Sequence, residues 1–357
     1  MPLFLLRRFS FWSKGHLWLV RWSAWEYWPL WLTAIPIVGM YLWFALRARH
    51  LFFFSNVNPA IPLGGAAGES KRLILDLLPP EVRLPTAWIP ARLPFEAVLE
   101  RLAAEGVSFP VVVKPDVGER GFLVKKADTP EALREHLQRY PVDFLVQPFV
   151  GEPVEAAVMF CLYPNGNFAL LSVCLKEFLT VTGDGHSTVL QLLAADDRAA
   201  LQIPRLKREQ PHLLEQRLAP GQTLTVEPIG NHARGTKFVN ASHLIDASMT
   251  QAFEQLCRNI PGVCFGRFDL KCASVQALKR AEGKVLEVNG VLSDPAHVFD
   301  PEYGAIRAYR AYYRQWRLLY ELHRLQRQAG VHPTPHGRGL QHFFRYFRYK
   351  KNARSRR

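Results

Sequence analysis

Asp269, Glu287 and Asn289 lie in two apolar runs, VCFGRFDLK (263–271) and KVLEVNG (284–290), whose alternation and β-branching predict neighbouring strands. Glu and Asn two apart on a strand point to the same face. Paired as a hairpin, the runs gather two carboxylates and an amide, hard oxygen donors of the kind Mg²⁺ takes beside nucleotide phosphates. A solvated strand face gives the same pattern, so the rest of the chain must decide.

A second chemical group lies upstream. FPVVVKP (109–115) reads as a buried strand ending in Lys114, and DVGERGFLVKK (116–126) as a tight turn around Gly118 and Gly121 leading into a returning strand. A lysine at a strand end supplies a point charge for phosphate, and the loop amides supply donors. There is no G-x-x-x-x-G-K-[ST], which excludes a P-loop. The positioning elements follow from periodicity: helices over Phe95–Glu105, Pro130–Arg139 and Glu69–Leu78, a strand over Asp143–Gln147, and PFVGEPVEAAVMF (148–160) running into another. The NPAIPLGG segment reads as a linker or turn, and Ser70 and Lys71 lie within reach of a site.

The chain has 357 residues and a formal charge of +14, but the charge sits at the ends. Residues 1–50 carry +5 and residues 301–357 carry +12, leaving −3 for residues 51–300. The body therefore lacks the basic face a nucleic-acid-binding body needs. Five cysteines show neither C-x-x-C nor zinc-site spacing, and read as reduced small hydrophobes of a cytosolic body.

Seven of the nine tryptophans fall in the first 43 residues, from Trp12 to Trp43, a density suited to the bilayer interface. Tyr27–Leu46 is a run of twenty uncharged residues, long enough to span a bilayer; Pro36 falls inside it, so a straight membrane helix and a re-entrant hairpin both remain open. HLWLVRWSAW, with Lys14 and Arg21 as polar anchors, suits a helix lying in the interface. At the other end, Ala305–Gln328 is helical in pattern, with Ile306, Tyr309, Tyr313, Trp316, Leu319 and Leu325 on or near one face. The final HFFRYFRYKKNARSRR interleaves aromatics with seven Lys/Arg, which suits anionic lipid, with RNA as the alternative ligand.

In order, VVVKPDVGERG, LVQPFVGEPVE, TVTGDGHSTVLQLL, GNHARGTKF, FGRFDLK and LEVNG resemble the ATP-grasp superfamily of carboxylate ligases over about residues 85–300. The resemblance implies an α+β fold, two α+β lobes gripping ATP, with ATP and Mg²⁺ or Mn²⁺ as cofactors. Taken with the composition of the two ends, it divides the chain into a membrane-associated segment (1–50), a linker and reduced N-terminal region (51–90), the ATP-grasp domain (91–300) and an amphipathic helix with a basic tail (301–357).

Carried over position by position, Lys114 contacts the nucleotide phosphates under a loop from Gly118 to Gly121. Gln147, Phe149 and Val150 form the adenine-binding hinge, and Glu155 binds the ribose. Lys176 is a second phosphate or adenine contact. Arg267 steadies the transferring phosphoryl group, and Asp269, Glu287 and Asn289 hold the metal. Arg234, His186 and His232 are the substrate candidates, and the acceptor pocket is expected from Thr182–Thr188, Asn231–Lys237 and Ser293–His297, with Asp116–Gly121 and Thr182–Thr188 as lids. GVLSDPAHVFD lacks the Ser-Pro-Gly segment of the dipeptide ligases, so their substrate is not implied.

The implied activity is ligation of a small-molecule or lipid-linked carboxylate to an amine, by a protein on the cytoplasmic side of the inner membrane. An ATP-binding regulator or scaffold, and a kinase that stops at the phosphorylated product, are the alternatives.

Overall fold

The computed structural model describes residues 14–119 and 121–354; Trp12, Arg120 and Ser355–Arg357 lie outside the described residues, as do the side chains of residues 14–17, Leu30 and Arg354. The chain forms two compact units. One comprises the described part of Met1–Val38 with Lys176–Asn240 and Ala296–Ala311; the other comprises Gly39–Leu175, Ala241–Pro295 and Tyr312–Arg357. The strands are β1 (Ala87–Ile89), β2 (Val111–Pro115), β3 (Lys125–Ala127), β4 (Phe144–Pro148), β5 (Val154–Leu162), β6 (Phe168–Glu177), β7 (Leu179–Thr182), β8 (Thr223–Glu227), β9 (Lys237–Asn240), β10 (Phe265–Cys272) and β11 (Lys284–Asn289). The architecture is α+β, as expected.

The larger unit holds two sheets. In the first, with strand order β1-β4-β2-β3, the resolved pairs are antiparallel. Strand alternation sends Val111 and Val113 into a core shared with Val98, Leu102, Leu133 and Phe144, and sends Lys114 to the opposite face. The covering helices are Phe95–Ala104 and Pro130–Arg139, the latter started by Thr129, whose hydroxyl accepts from Ala132 N, with proline at the first helical position.

The second sheet runs β11-β10-β5-β6. Phe268, Leu270 and Cys272 of β10 face a core with Phe160, Met249 and Phe253, the Phe160 and Phe268 rings stacked at 4.6 Å. Alternation therefore places Arg267, Asp269 and Lys271 together on the other face. The connection from β10 to β11 contains a short helix, Val275–Lys279. The β10–β11 register shifts between Asp269 and Leu270: Asp269 faces Glu287, but Leu270 faces Val285, so Leu286 is an extra residue in the ladder. That bulge lets both Val285 and Val288 reach the core while Glu287 stays opposite Asp269.

The NPAIPLGG segment proves to be a structural turn. Asn58, fully buried, donates to the carbonyls of Gly64 and Phe265 and accepts from the amides of Cys264 and Phe265, which clamps the turn to the start of β10. Gly65, at φ +80°, and Gly64 then lie against the end of β11, where a Cβ on Gly290 would sit 2.6 Å from Gly65 Cα and closer still to Gly64 O. Gly290→Ala is expected to destabilise the fold by about 1–3 kcal/mol, since only backbone could yield. A thermal midpoint equal to that of the parent would show that the two segments are not in contact.

In the smaller unit, β7 and β8 pair antiparallel over a core of Val189, Leu193, Leu206 and Leu214. The tryptophan-rich start contributes to this unit's interior. Trp25 is buried, donates from Nε1 to the Val298 carbonyl at 3.1 Å and stacks on Phe299 at 5.6 Å. This part of the segment serves as core, which its composition alone did not distinguish from an interface.

Leu30–Ala48 is one helix running through Pro36, so the re-entrant hairpin is not formed. Its stretch Trp31–Ala48 is long and apolar enough to cross a membrane. Trp31, Ile35, Val38, Leu42 and Leu46 are exposed, while Phe44 and Ala45 are buried among Phe53, Trp316 and Leu319. In the helix Ala305–Gln328 the buried positions include Tyr312, Trp316, Leu319 and Leu322; Ile306 and Tyr313, expected on the packed face, are exposed. A last helix, His336–Arg354, carries six Lys/Arg and no acid.

Candidate active site

The β10–β11 face and the end of β2 meet within the larger unit. Lys114 reaches from β2 to donate to the Leu286 carbonyl at 2.7 Å, satisfying the group that the bulge takes out of the ladder. Burial pushes the Lys114 ammonium down to about 8, against the opposing pull of Glu287. Across the ladder, Asp269 and Glu287 are direct partners, as are Arg267 and Asn289.

Arg267 donates through two nitrogens to the two oxygens of Asp269, at 2.8 and 3.2 Å, and through a third to the Asp294 carbonyl at 2.7 Å. Burial disfavours its charge, but Asp269 more than compensates and raises its pKa. Burial alone would likewise push the Glu287 carboxyl up. Lys71, 3.1 Å away, and Lys114 overcome that and hold it below the usual range.

The short helix Lys71–Leu75 is fastened to the glycine loop. Ser70 Oγ and Arg72 N both donate to Asp116 Oδ1, at 2.9 and 3.0 Å, and the Lys71 ammonium donates to the Gly118 carbonyl while pairing with Glu287. The sequence marked Lys71 only as within reach; its central place follows from this packing. Asp116 was not singled out, and its only sequence signal is its place directly after Lys114-Pro115. Beside this cluster Glu69 is raised by burial, and its Oε2 has no hydrogen-bond partner; the same holds for Asn289 Nδ2.

Whether this set fits a hard divalent cation is a question of donors. Two carboxylates face each other across one ladder, and the Asn289 amide, whose oxygen is the atom a cation would take, lies two residues from Glu287. Arg267 already engages the Asp269 carboxylate and Lys71 the Glu287 carboxylate. Carboxylate and amide oxygens are hard donors of the kind Mg²⁺ takes, but among the described residues no group of three or more His, Cys, Asp or Glu is placed to hold a metal, so phosphate oxygens would have to supply the remaining donors.

The expected nucleotide hinge is also in this unit. Phe149 N donates to the Pro110 carbonyl at 2.8 Å, and the Phe149 ring has Lys126 and Lys271 within 4.8 and 5.2 Å of its centroid. Val150 offers its carbonyl to Lys271 at 3.1 Å, and Glu155, buried, lies 3.8 Å from the same ammonium. The Gln147 side chain donates to Thr86 Oγ1.

The remaining candidates lie in the smaller unit and have structural engagements there. Lys176 is buried with its ammonium 5.7 Å from the Phe238 ring centroid. Arg234 pairs with Glu227 at 2.6 Å and with Glu209 at 3.2 Å; Glu227, buried, also takes Arg205. His232 Nε2 lies 2.6 Å from Glu26 Oε2, and Arg198 pairs with the same buried carboxylate. His186 follows Asp184, whose carboxylate is held well below the usual range by the backbone N–H of Ser187, its hydroxyl and the His186 N–H. The Thr182–Thr188 stretch ends in a capping box between Thr188 and Gln191. These partners give Arg234 and His232 local structural work that sequence did not reveal.

No family model matches the chain, and no curated protein matches it. Among solved structures it is similar to VanG D-Ala:D-Ser ligase from Enterococcus faecalis, at 13% identity over 70% of this chain and 61% of that one, with a TM-score of 0.41. It is similar to a D-alanine–D-alanine ligase from Bacillus anthracis at 11% identity over 73% of this chain and 68% of that one, TM-score 0.40. A bifunctional glutathione synthetase from Pasteurella multocida overlays at 16% identity over 67% of this chain and 34% of that one, TM-score 0.33. The chain thus spans under two thirds of the VanG ligase and about a third of the synthetase. All three are named as ligases or synthetases, and overlays this loose transfer no residue roles.

Proposed function

We propose that this protein is an ATP-dependent carboxylate–amine ligase of the ATP-grasp type, attached to the cytoplasmic face of a membrane. The observation that carries the reading is the cross-strand pair Asp269–Glu287 with Lys71, Lys114 and Arg267 against it, all in one unit. A carboxylate does not react with an amine directly because hydroxide is a poor leaving group. Attack of the carboxylate oxygen on the γ-phosphorus of ATP breaks the bond to the bridging oxygen, giving an acyl phosphate and ADP. The amine then attacks the acyl carbon, phosphate departs with the bonding pair, and the ammonium proton is lost to solvent.

Such phosphoryl transfer depends on position and charge neutralisation. Lys114 binds phosphate oxygens, the 116–121 loop covers them, and Arg267, fixed by Asp269, balances the charge that develops on the transferring group. Asp269, Glu287 and Asn289 would hold Mg²⁺, which supplies further neutralisation of the phosphates. Phe149, with its flanking lysines, suits an adenine ring. Attachment is supported by the exposed apolar side of Leu30–Ala48. A cytoplasmic site is supported by five free cysteines, four of them buried.

The direct test is ADP release in detergent or nanodiscs with amino acids, polyamines and lipid-linked acids supplied pairwise, and hydroxylamine added to trap the acyl phosphate as a hydroxamate. ADP without hydroxamate or amide would identify a kinase; ATP binding without ADP would identify a regulator. A pH profile tests Lys114. With its ammonium titrating near 8 in the free protein, kcat/KM for ATP is expected to fall as pH rises through that value, because the neutral amine no longer attracts phosphate. In Lys114→Arg the alkaline limb should vanish, and an unchanged limb would remove Lys114 from the nucleotide site.

A further inference from the structure

Helix His336–Arg354 has two faces with different consequences. Its inner face packs on the larger unit: Phe343 stacks on Phe52 at 5.9 Å, and His342 Nε2 lies 2.7 Å from the Ala67 carbonyl. Tyr346, buried, covers Gly68 so closely that a Cβ there would meet its ring at 3.2 Å. Lys350 Nζ donates to Glu119 Oε1 at 2.9 Å, so the last turns of the helix hold the glycine loop itself. From Ala67 and Gly68 the chain continues to Ser70 and Lys71, which grip Asp116, Gly118 and Glu287. The helix therefore touches the loop directly and also through the segment that fastens it.

The outer face is apolar as well. Leu340, Phe344 and Phe347, spaced four and three apart, are exposed, the two phenylalanines at 69% and 61%, and Arg345, Arg348 and Lys351 are exposed beside them. Packing on the body accounts for the inner stripe and leaves the outer one unexplained. A surface that covers it must offer hydrocarbon to leucine and phenylalanine and negative charge to the cations, in a helix without a single acid. A bilayer containing anionic lipid offers both at one depth. Nucleic acid would take the cations but offers little to Leu340.

We propose that this helix is a strap: its outer face rests on anionic lipid, and by holding the helix in place the lipid steadies the 116–121 loop. Lys350 lies in the last turns of the helix, which fray more readily than its middle. Contacts from Phe344, Phe347, Arg348 and Lys351 to the bilayer oppose that fraying and keep Lys350 on Glu119 and Tyr346 on Gly68. The role of the loop in holding phosphate rests on the reading above; the mechanical coupling does not.

The test is amide hydrogen exchange across residues 116–122 of the full chain, without nucleotide, in the presence of phosphatidylcholine vesicles or of vesicles that also contain phosphatidylglycerol. Both vesicles can take up the Leu30–Ala48 helix, so the comparison isolates the anionic contribution. Anionic vesicles are expected to slow exchange severalfold and neutral ones to leave it unchanged. Lys350→Ala should bind anionic vesicles nearly as well and lose the protection. Phe344→Ser/Phe347→Ser/Arg348→Ser should lose the protection too, with its preference for anionic over neutral vesicles reduced by about fivefold for the one cation removed and further for the two rings.

Binding to anionic vesicles without slowed exchange would overturn the coupling. A triple variant that keeps its anionic preference, or single-stranded RNA that displaces the vesicles and protects the loop itself, would overturn the lipid surface. A chain that releases no ADP with any acid and amine yet shows the protection keeps the strap and loses the ligase; one that turns over without the protection does the reverse.

Discussion

Glu287→Gln is expected to reduce ADP release by about 10²–10³-fold, on the scale of removing one preorganised charged contact from a transition state, while leaving the thermal midpoint within a few degrees. The substitution conserves volume, and Lys71 keeps the Gly118 carbonyl as a partner when it loses the carboxylate. Asp269→Asn should reduce turnover at least as far and also cost stability. Arg267 is half-buried against that carboxylate through a two-point pair, and leaving its charge unmatched costs a part of the roughly 3–5 kcal/mol of a fully buried ion. The two variants thus separate a residue needed for chemistry from one needed for chemistry and fold. Near-normal ADP release by Glu287→Gln would remove the metal assignment, and unfolding by Glu287→Gln would make it a structural residue.

Deleting residues 1–50 is expected to give a chain that aggregates even in detergent. Trp25 and Phe44 are buried, and losing two large side chains from cores costs roughly 3–6 kcal/mol, comparable with the ~5–15 kcal/mol that holds a domain together. Glu26 adds to this, because its removal leaves Arg198 and His232 without their shared carboxylate. By contrast, replacing the exposed Trp31, Ile35, Leu42 and Leu46 with serine should leave the fold intact and move the protein from the membrane pellet towards the soluble fraction. Pelleting and thermal scans of the two proteins decide. A soluble deletion with the parent's midpoint would show that the first fifty residues are only an anchor.

The part of the site that could be read from sequence is the part that local alternation controls. FGRFDLK and KVLEVNG are short enough for period two to dictate which side chains share a face, so Glu287 and Asn289 were legible as a same-face pair, and the same rule sets Arg267 beside Asp269 in the structure. The Leu286 bulge, which keeps Asp269 opposite Glu287, depends on where Val285 and Val288 find a core, and no local pattern encodes that. Arg234 and His232 looked available for substrate because their partners, Glu227 and Glu26, are ordinary acids in sequence, and Glu26 stands 206 residues away from His232. Trp25 and Trp31 are the same residue type six positions apart, one buried and one exposed, and composition treats them alike.

The Asn58 clamp also sets a schedule. Its partners Cys264 and Phe265 follow it by 206 and 207 residues, so a ribosome adding about 5–20 residues per second needs roughly 10–40 s to supply them. Trp316 and Leu319, which cover Phe44 and Phe53, are made later still. For most of that interval the newborn chain has Leu30–Ala48 and the Phe52–Phe54 cluster outside the ribosome with little but each other to pack on, Tyr41 against Phe53 and Phe54. A bilayer or a chaperone is then their first available partner. Capture of the helix while the rest of the chain is still being translated would keep these segments from self-association until β10 arrives to close the turn.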